Sequence, residues 1–263
     1  MRSDLEKYLT AAHEAIDLAD GILQATRDRS AVFKGDRDPV TETDLAIERA
    51  MRDSLHRATP EAGFLGEETG GSSDGLAWVL DPIDGTANFT HGVPLTAVSL
   101  ALLDRGEPII GLVAVQAEGV RYTAMGGQGA TRDGEPIQAS ACSELRSAMV
   151  AMGDYATGPD AAERNQARLR ITAALATRAQ RVRMLGSAAI DLAWVAAGKL
   201  DGSVMLSNKP WDTAAGVLIA REAGAHVTDL NGHLHALNST STIAAAPGVS
   251  DEFLDALRHD RAS

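Results

Sequence analysis

The segment Asp81-Pro82-Ile83-Asp84-Gly85-Thr86 constrains this chain more than any other. It follows the apolar run Ala77-Trp78-Val79-Leu80, whose length and residue types predict a short buried strand. Two carboxylates thus emerge at a strand's end, around a Pro and a Gly that predict a turn. Charge placed there needs compensation, and the nearest Lys or Arg residues in sequence, Arg57 and Arg105, lie well outside the motif. A hard divalent cation, which prefers carboxylate and carbonyl oxygens, is the natural partner. Thr86 adds a hydroxyl that can hold a water.

Two further acidic segments fit the same chemistry. Gly66-Glu67-Glu68 follows the apolar pair Phe64-Leu65, and Trp211-Asp212-Thr213-Ala214-Ala215-Gly216 follows Lys209-Pro210 and opens an Ala-rich helical stretch. An Asp in a first helical turn meets free backbone N–H groups and the positive end of the helix dipole, a setting that also suits a phosphate. Taken singly, Asp81, Asp84 and Asp212 read as ordinary turn and cap residues. Taken in order with Glu67 and Thr86, they read as a metal site.

At 263 residues the chain is long enough to bury a sizeable core, as one large domain or two small ones. A 44% apolar content with 25 Gly and 4% aromatics suits an α/β protein packed with Ala, Val and Leu. The formal net charge of −12 disfavours nucleic acid or anionic membrane as a partner. One cysteine, Cys142, excludes an intramolecular disulfide. No apolar run reaches the length of a membrane span, and the first 29 residues carry scattered charge on an amphipathic pattern unlike a signal peptide. These features predict a cytoplasmic protein.

Apolar residues at helical spacing from Leu5 to Leu23 predict a first helix over about 3–27. Residues 30–38 predict a loop or hairpin, and Thr41 or Thr43 caps a second helix reaching Arg57. Strands are expected at 63–65, 78–80, 97–103, 109–116 and 120–125, and a further short one after Gly126-Gly127-Gln128-Gly129. Then follow a strand at 149–152, a helix over 160–177, a helix over 187–197 capped by Ser187, strands at 200–206 and 225–228 flanking a helix over 211–222, a strand at 242–246 and a helix over 251–259. There are no internal repeats and no low-complexity linker. His226, His233 and His235 read as surface residues and His91 as part of a loop; Arg164, Arg168, Arg170, Arg178, Arg181 and Arg183 read as a solvated basic face, with a polyanion-binding face as the alternative.

Together the segments Gly66-Glu67-Glu68, Asp81-Pro82-Ile83-Asp84-Gly85-Thr86-Ala87-Asn88-Phe89 and Trp211-Asp212-Thr213-Ala214-Ala215-Gly216 resemble the inositol monophosphatase family of metal-dependent phosphatases. Pro39-Val40-Thr41-Glu42-Thr43-Asp44 and Gly186-Ser187-Ala188-Ala189 support the resemblance, which runs in family order from about Lys34 to Gly224. It implies an α/β (α+β) layered αβαβα sandwich, with an N-terminal half over 1–145 carrying most metal ligands and a C-terminal half over 146–263 carrying Asp212, tightly packed as one unit.

The resemblance further implies two or three Mg²⁺ ions per site. Glu67, Asp81 and the Ile83 carbonyl would bind the first; Asp81, Asp84 and Asp212 would bind the second. Glu67 and Thr86 would position the attacking water, with Asp44 behind Thr86. The Gly85 and Thr86 N–H groups would cradle the phosphate, which Asp84 and Asp212 would border. Gly186, Ser187 and Ala188 would face the alcohol. Lys34, Glu68, Met205 and Lys209 are further candidates; Met205 stands where many inositol phosphatases carry a Glu that contacts sugar hydroxyls. The implied reaction is hydrolysis of a small phosphate monoester, foremost inositol monophosphate, by a homodimer inhibited by lithium. Fructose-1,6-bisphosphate, histidinol phosphate and 3′-phosphoadenosine nucleotides are alternative substrates among relatives, and a regulatory binding protein on the same fold is an alternative of another class.

Overall fold

The computed structural model describes residues 2–258. The chain runs α1 (Arg2–Ala25), a hairpin of β1 (Ala31–Gly35) and β2 (Asp38–Thr41), α2 (Glu42–Ala58), β3 (Gly63–Gly66), β4 (Gly70–Gly71), β5 (Leu76–Asp84), α3 (Thr86–His91), β6 (Ala97–Asp104), β7 (Glu107–Val115), β8 (Val120–Met125), β9 (Ala130–Arg132) and β10 (Glu135–Ile137). A second series follows: β11 (Met149–Met152), α4 (Ala161–Arg178), β12 (Arg181–Arg183), α5 (Ala188–Ala196), β13 (Gly202–Met205), α6 (Pro210–Glu222), β14 (His226–Thr228), β15 (Thr242–Ala245) and α7 (Ser250–Arg258). The end of the last expected helix, His259, lies outside the described residues.

Strand alternation sorts these elements into five layers. An eight-stranded sheet has the order β10-β9-β8-β7-β6-β5-β3-β4, antiparallel except where β3 pairs with β5. Trp78, Leu80, Val98, Leu100 and Leu112 point to one face, where they pack on Ala12, Ile16, Ile47 and Met51 of α1 and α2. Val79, Ala97, Ala101 and Val113 point to the other, onto Ile190 and Ala193 of α5 and Ala215 and Ile219 of α6. The same middle cluster takes in Ala151, Met205 and Ala244 from a five-stranded sheet of order β12-β11-β13-β15-β14. The outer face of that sheet, with Val150, Val204 and Ile243, is covered by Ile171 and Leu175 of α4 and Phe253 and Leu257 of α7. The result is the αβαβα sandwich.

Small residues let the middle layer close. A Cβ on Gly111 of β7 would lie 2.7 Å from the Ala215 carbonyl oxygen of α6, and one on Gly216 would lie 2.6 Å from the Leu192 Cβ of α5. Backbone and side chain meet there without room for a methyl.

Several elements depart from the sequence reading. The strand expected to stop at Leu80 continues to Asp84, because Pro82 and Ile83 are accommodated in a bulge. His91, expected in a loop, ends the six-residue α3. The short strands β10 and β12, three residues each, are too brief to leave a periodic signature. His235, expected at the surface, is 6% exposed and its Nε2 lies 2.9 Å from the Thr242 Oγ1. Burial pushes its imidazole down to about 4, so it is neutral near pH 7.

The glycine packing gives a paired expectation. Gly111→Ala should destabilise the protein by about 1–3 kcal/mol through overpacking. Gly21→Ala, on the exposed face of α1 with nothing within 4 Å of an added Cβ, should instead stabilise it by roughly 0.5–1 kcal/mol. Urea or thermal unfolding of the two variants measures both signs.

Candidate active site

The site begins with the bulge. Asp81 pairs with Ser99 of β6 and Asp84 with Ala97, so three steps on β5 match two on β6. In a regular strand residues three apart point to opposite faces; the extra residue returns Asp84 to the face of Asp81. Pro82, which has no N–H to give a ladder, falls where the ladder is interrupted. Ile83 is turned to the opposite face and packs with the α1–α2 cluster. Both carboxylates therefore face the middle helical layer.

Neighbouring elements add to that face. β3 runs parallel to β5 with Gly66 opposite Leu80, and the Glu67 N–H donates to the Leu80 carbonyl at 3.1 Å, which sets Glu67 beside Asp81. α6 begins with Pro210 at its first turn, followed by Asp212. The Ser99 hydroxyl donates to the Trp211 carbonyl at 3.0 Å and ties that helix start to β6. Glu67, Asp81 and Asp212 then offer oxygens that all lie within 4.8 Å of one another.

The remaining carboxylates each have an oxygen committed to holding the chain. Asp84 Oδ2 accepts from the Ser187 hydroxyl at 2.6 Å and the Ala189 N–H at 2.6 Å, both at the start of α5. Asp44 Oδ2 accepts from the Thr41 N–H at 2.9 Å and its hydroxyl at 2.5 Å, completing a capping box on α2. Of the two threonines expected as caps, Thr41 is the one used. The other Asp44 oxygen lies 3.3 Å from the Thr86 hydroxyl, which is also 3.0 Å from the Ile83 carbonyl.

Burial dominates the electrostatics. Asp81 is 2% exposed, and its carboxyl is held well above the ordinary range first by burial and then by Glu67, Asp84 and Asp212. Burial likewise raises Asp212 well above its usual value, with Asp84 and Glu67 adding to it. Asp84 rises only to about 6, because the hydrogen bonds from α5 oppose its burial. Among the described residues neither Asp81 nor Asp212 has an ion-pair partner. A convergent, oxygen-only set, buried at Asp81 and half-buried at Glu67 and Asp212, in which only Glu67 has an ion-pair partner among the described residues, fits a hard divalent cation.

Lys34, on the hairpin, reaches this edge. Its Nζ lies 3.0 Å from Glu67 Oε1 and 2.8 Å from Glu68 Oε1. Burial lifts Glu68 to about 7 in spite of that lysine. Lys209 instead lies over the Trp211 ring, 5.8 Å from its centroid. Gly85 precedes α3 with φ 92°, and a Cβ there would meet the Leu95 and Gly186 carbonyls at 2.9 and 3.0 Å. Met205 is 4% exposed and packs in the middle-layer core, with its Cγ 3.4 Å from a Cβ placed on Gly153.

Sequence reasoning missed three residues here, of which Glu48 and Asn88 hold the arrangement together. Glu48, fully buried on α2, accepts from the Glu68 and Thr69 N–H groups, each at 2.8 Å. Asn88 donates to the Leu95 and Leu185 carbonyls, each at 2.8 Å, and joins α3 to the segment before α5. Asp191, in the first turn of α5, is 1% exposed and its Oδ1 has no hydrogen-bond partner in the structure. A charge in the otherwise apolar run Ala188–Ala196 was the available signal for Asp191.

The model of the inositol monophosphatase family matches residues 4–262. The chain is 38% identical over 257 residues to the inositol-1-monophosphatase ImpA of Mycolicibacterium smegmatis, covering 97% of this chain and 93% of that protein. It is similar in structure to the extragenic suppressor protein suhB of Bartonella henselae, with a TM-score of 0.89 at 31% identity over 96% of this chain and 98% of that one. An IMPase of Thermotoga maritima aligns with a TM-score of 0.85 at 30% identity, covering 97% of this chain and 96% of that one. Matches of this extent, across the segments that build the carboxylate cluster, establish that the chain belongs to the inositol monophosphatase family.

Proposed function

We infer that the protein is a Mg²⁺-dependent phosphomonoesterase that hydrolyses small alcohol phosphates, inositol monophosphate among them. The observation that carries this reading is the approach of Glu67, Asp81 and Asp212 to within 4.8 Å of one another at the bulged end of β5. Family membership and the name of the M. smegmatis relative support the substrate class. The reading extends to a homodimer in the cytoplasm; among the described residues no helix is long and apolar enough to cross a membrane.

Each residue has a part. Glu67, Asp81 and the Ile83 carbonyl would hold one Mg²⁺, and Asp81, Asp84 and Asp212 a second. Bound there, the ions would neutralise phosphate charge and make water a stronger nucleophile near neutral pH. Thr86 has one hydroxyl hydrogen, and giving it to Asp44 or to the Ile83 carbonyl leaves its oxygen free to accept from the attacking water. Glu67 would accept from the same water and fix its direction. Gly85 and Thr86 would present N–H groups to the phosphate oxygens, with Asp84 and Asp212 alongside. Gly186, Ser187 and Ala188 would flank the alcohol, with Glu68 and Lys34 at the hairpin edge and Lys209 at the α6 edge. Phosphoryl transfer needs positioning and charge stabilisation more than covalent help, so no His or Cys nucleophile is required.

Removal of the metal is the direct experiment. Phosphate release should require Mg²⁺, should fail in excess chelator, and should be supported poorly by Ca²⁺, which is larger and less strict in geometry. Full hydrolysis in chelator would sink the reading.

The water-positioning role is tested by Thr86→Ala, which should lower kcat by about 10²–10⁴-fold, the usual range for a lost proton-handling group. Asp212→Asn should lower activity strongly and raise the Mg²⁺ concentration needed for half-activation. Circular dichroism and a melting curve for both variants check that the fold is retained; wild-type rates in both would place the chemistry elsewhere.

Specificity should be broad. A site that hydrogen-bonds a substrate hydroxyl rejects analogues lacking it, because its own buried polar group is left unmatched. Met205 offers no such group. Inositol 1-phosphate should therefore be accepted without strong preference over glycerol 2-phosphate or histidinol phosphate in kcat/KM. A preference of a thousand-fold, about 4 kcal/mol of transition-state discrimination, would contradict this.

A further inference from the structure

The basic stretch of α4 is not the uniformly solvated face its sequence suggests. Arg168 is 4% exposed, and its guanidinium donates through Nε to the Asp154 carbonyl at 3.3 Å and through Nη1 to the Arg164 carbonyl at 3.3 Å. Arg164 donates to the Thr157 and Pro159 carbonyls at 2.6 and 3.1 Å. All these acceptors are neutral. Among the described residues neither Arg164, Arg168 nor Arg170 has a carboxylate partner, although the chain carries 36 acidic residues against 24 basic ones. Burial, with Arg164 adding to it, pushes the Arg168 guanidinium below its ordinary value, the mark of a buried cation without a counter-charge.

The three arginines line one cavity of about 250 Å³ between α4, the start of β15 and α7. Among the described residues no acidic side chain lines it. Thr240, Ser241 and Asn231 add polar residues to its lining, and Ile171 and Leu257 add apolar ones. None of the carboxylates of the β5 cluster takes part. A concave, single-sign site with low-dielectric walls concentrates ions of the opposite sign. The planar guanidinium fork matches the oxygens of phosphate in two-point hydrogen bonds. The volume lies below that of the usual drug-sized pocket and suits a small anion.

We propose that this cavity is a second, non-catalytic binding site for a small phosphate-bearing anion, held by Arg168 and Arg170 with Arg164 at its rim. The site stands apart from the proposed chemistry and does not depend on it. It is linked to the candidate substrate side through the chain, because Arg168 holds the carbonyl of Asp154, just past β11, and Leu206 of the lining follows Met205.

The test is titration of the full chain with inorganic phosphate in excess chelator at constant ionic strength, followed by calorimetry. Saturable one-to-one binding is expected, retained in Asp212→Asn and weakened at least tenfold in Arg168→Lys and in Arg170→Gln. Arg170 is exposed, so Arg170→Gln carries the test if the Arg168 variant does not fold. A parallel titration with glycerol 2-phosphate, which chelator protects from turnover, separates the two sources of the phosphate group: tighter binding assigns an ester, weaker binding the free ion. Absence of saturable binding overturns the proposal. So does undiminished affinity in the arginine variants, or binding that disappears in Asp212→Asn and places the anion at the carboxylate cluster.

Discussion

Two aspartates three residues apart on one strand cannot both face the same layer unless the strand is irregular, and the bulge of β5 supplies that irregularity. Everything at the site is arranged around the pair it produces. β3 sets Glu67 next to Asp81, α6 brings Asp212 in from the middle layer, and α5 donates to Asp84 from its first turn. Without the extra residue, Asp84 would point into the α1–α2 cluster now occupied by Ile83, where burial of a carboxylate has no compensation. Pro82 suits the interruption because it has no hydrogen bond to lose.

A shared device fixes the carboxylates. One oxygen is tied to nearby backbone or hydroxyl groups and the other is left for the site, at Asp44 for the Thr86 hydroxyl. Asp44 and Asp84 follow this pattern through Oδ2, and Asp81 through an Oδ1 that accepts from the Ile83 N–H at 3.0 Å. Glu48 carries the device further by spending both oxygens on the turn that presents Glu67 and Glu68. A Cβ on Gly66 would lie 2.4 Å from the Glu48 carboxyl carbon, so that glycine is part of the same fitting. Buried like charges are costly, and these local bonds hold the side chains in place against their mutual repulsion.

Much of this was legible in the sequence for a physical reason. The cluster is assembled from short segments with dense local signals: a strand followed by Asp-Pro-Ile-Asp-Gly-Thr, a Gly-Glu-Glu turn, and a Trp-Asp helix start. The capping of α2 by Thr41 and of α5 by Ser187 is equally local. What escaped depends on distant partners. Asn88 joins segments 97 positions apart, and Glu48 serves a turn twenty positions later; neither leaves a periodic trace. The bulge is a matter of register with β6, which no property of β5 alone discloses. His235 and Arg168 looked like surface residues because polarity predicts exposure only on average, and each is buried by elements far along the chain.

The middle layer has a consequence for how the chain is made. The inner face of the eight-stranded sheet, with Val79, Ala101, Leu103, Val113 and Tyr122, comes from residues in the first half of the sequence. Its cover comes from α5 and α6, which begin only at Ala188 and Pro210. At translation speeds of about 5–20 residues per second, that apolar face waits several seconds for its partner helices. During that interval α1 and α2 are already available to cover the opposite face, so the nascent chain is one-sided: finished towards α1 and α2, and bare on the face that α5 and α6 will cover. The order of the layers along the gene thus sets a window in which the growing protein depends on solubility supplied from outside itself.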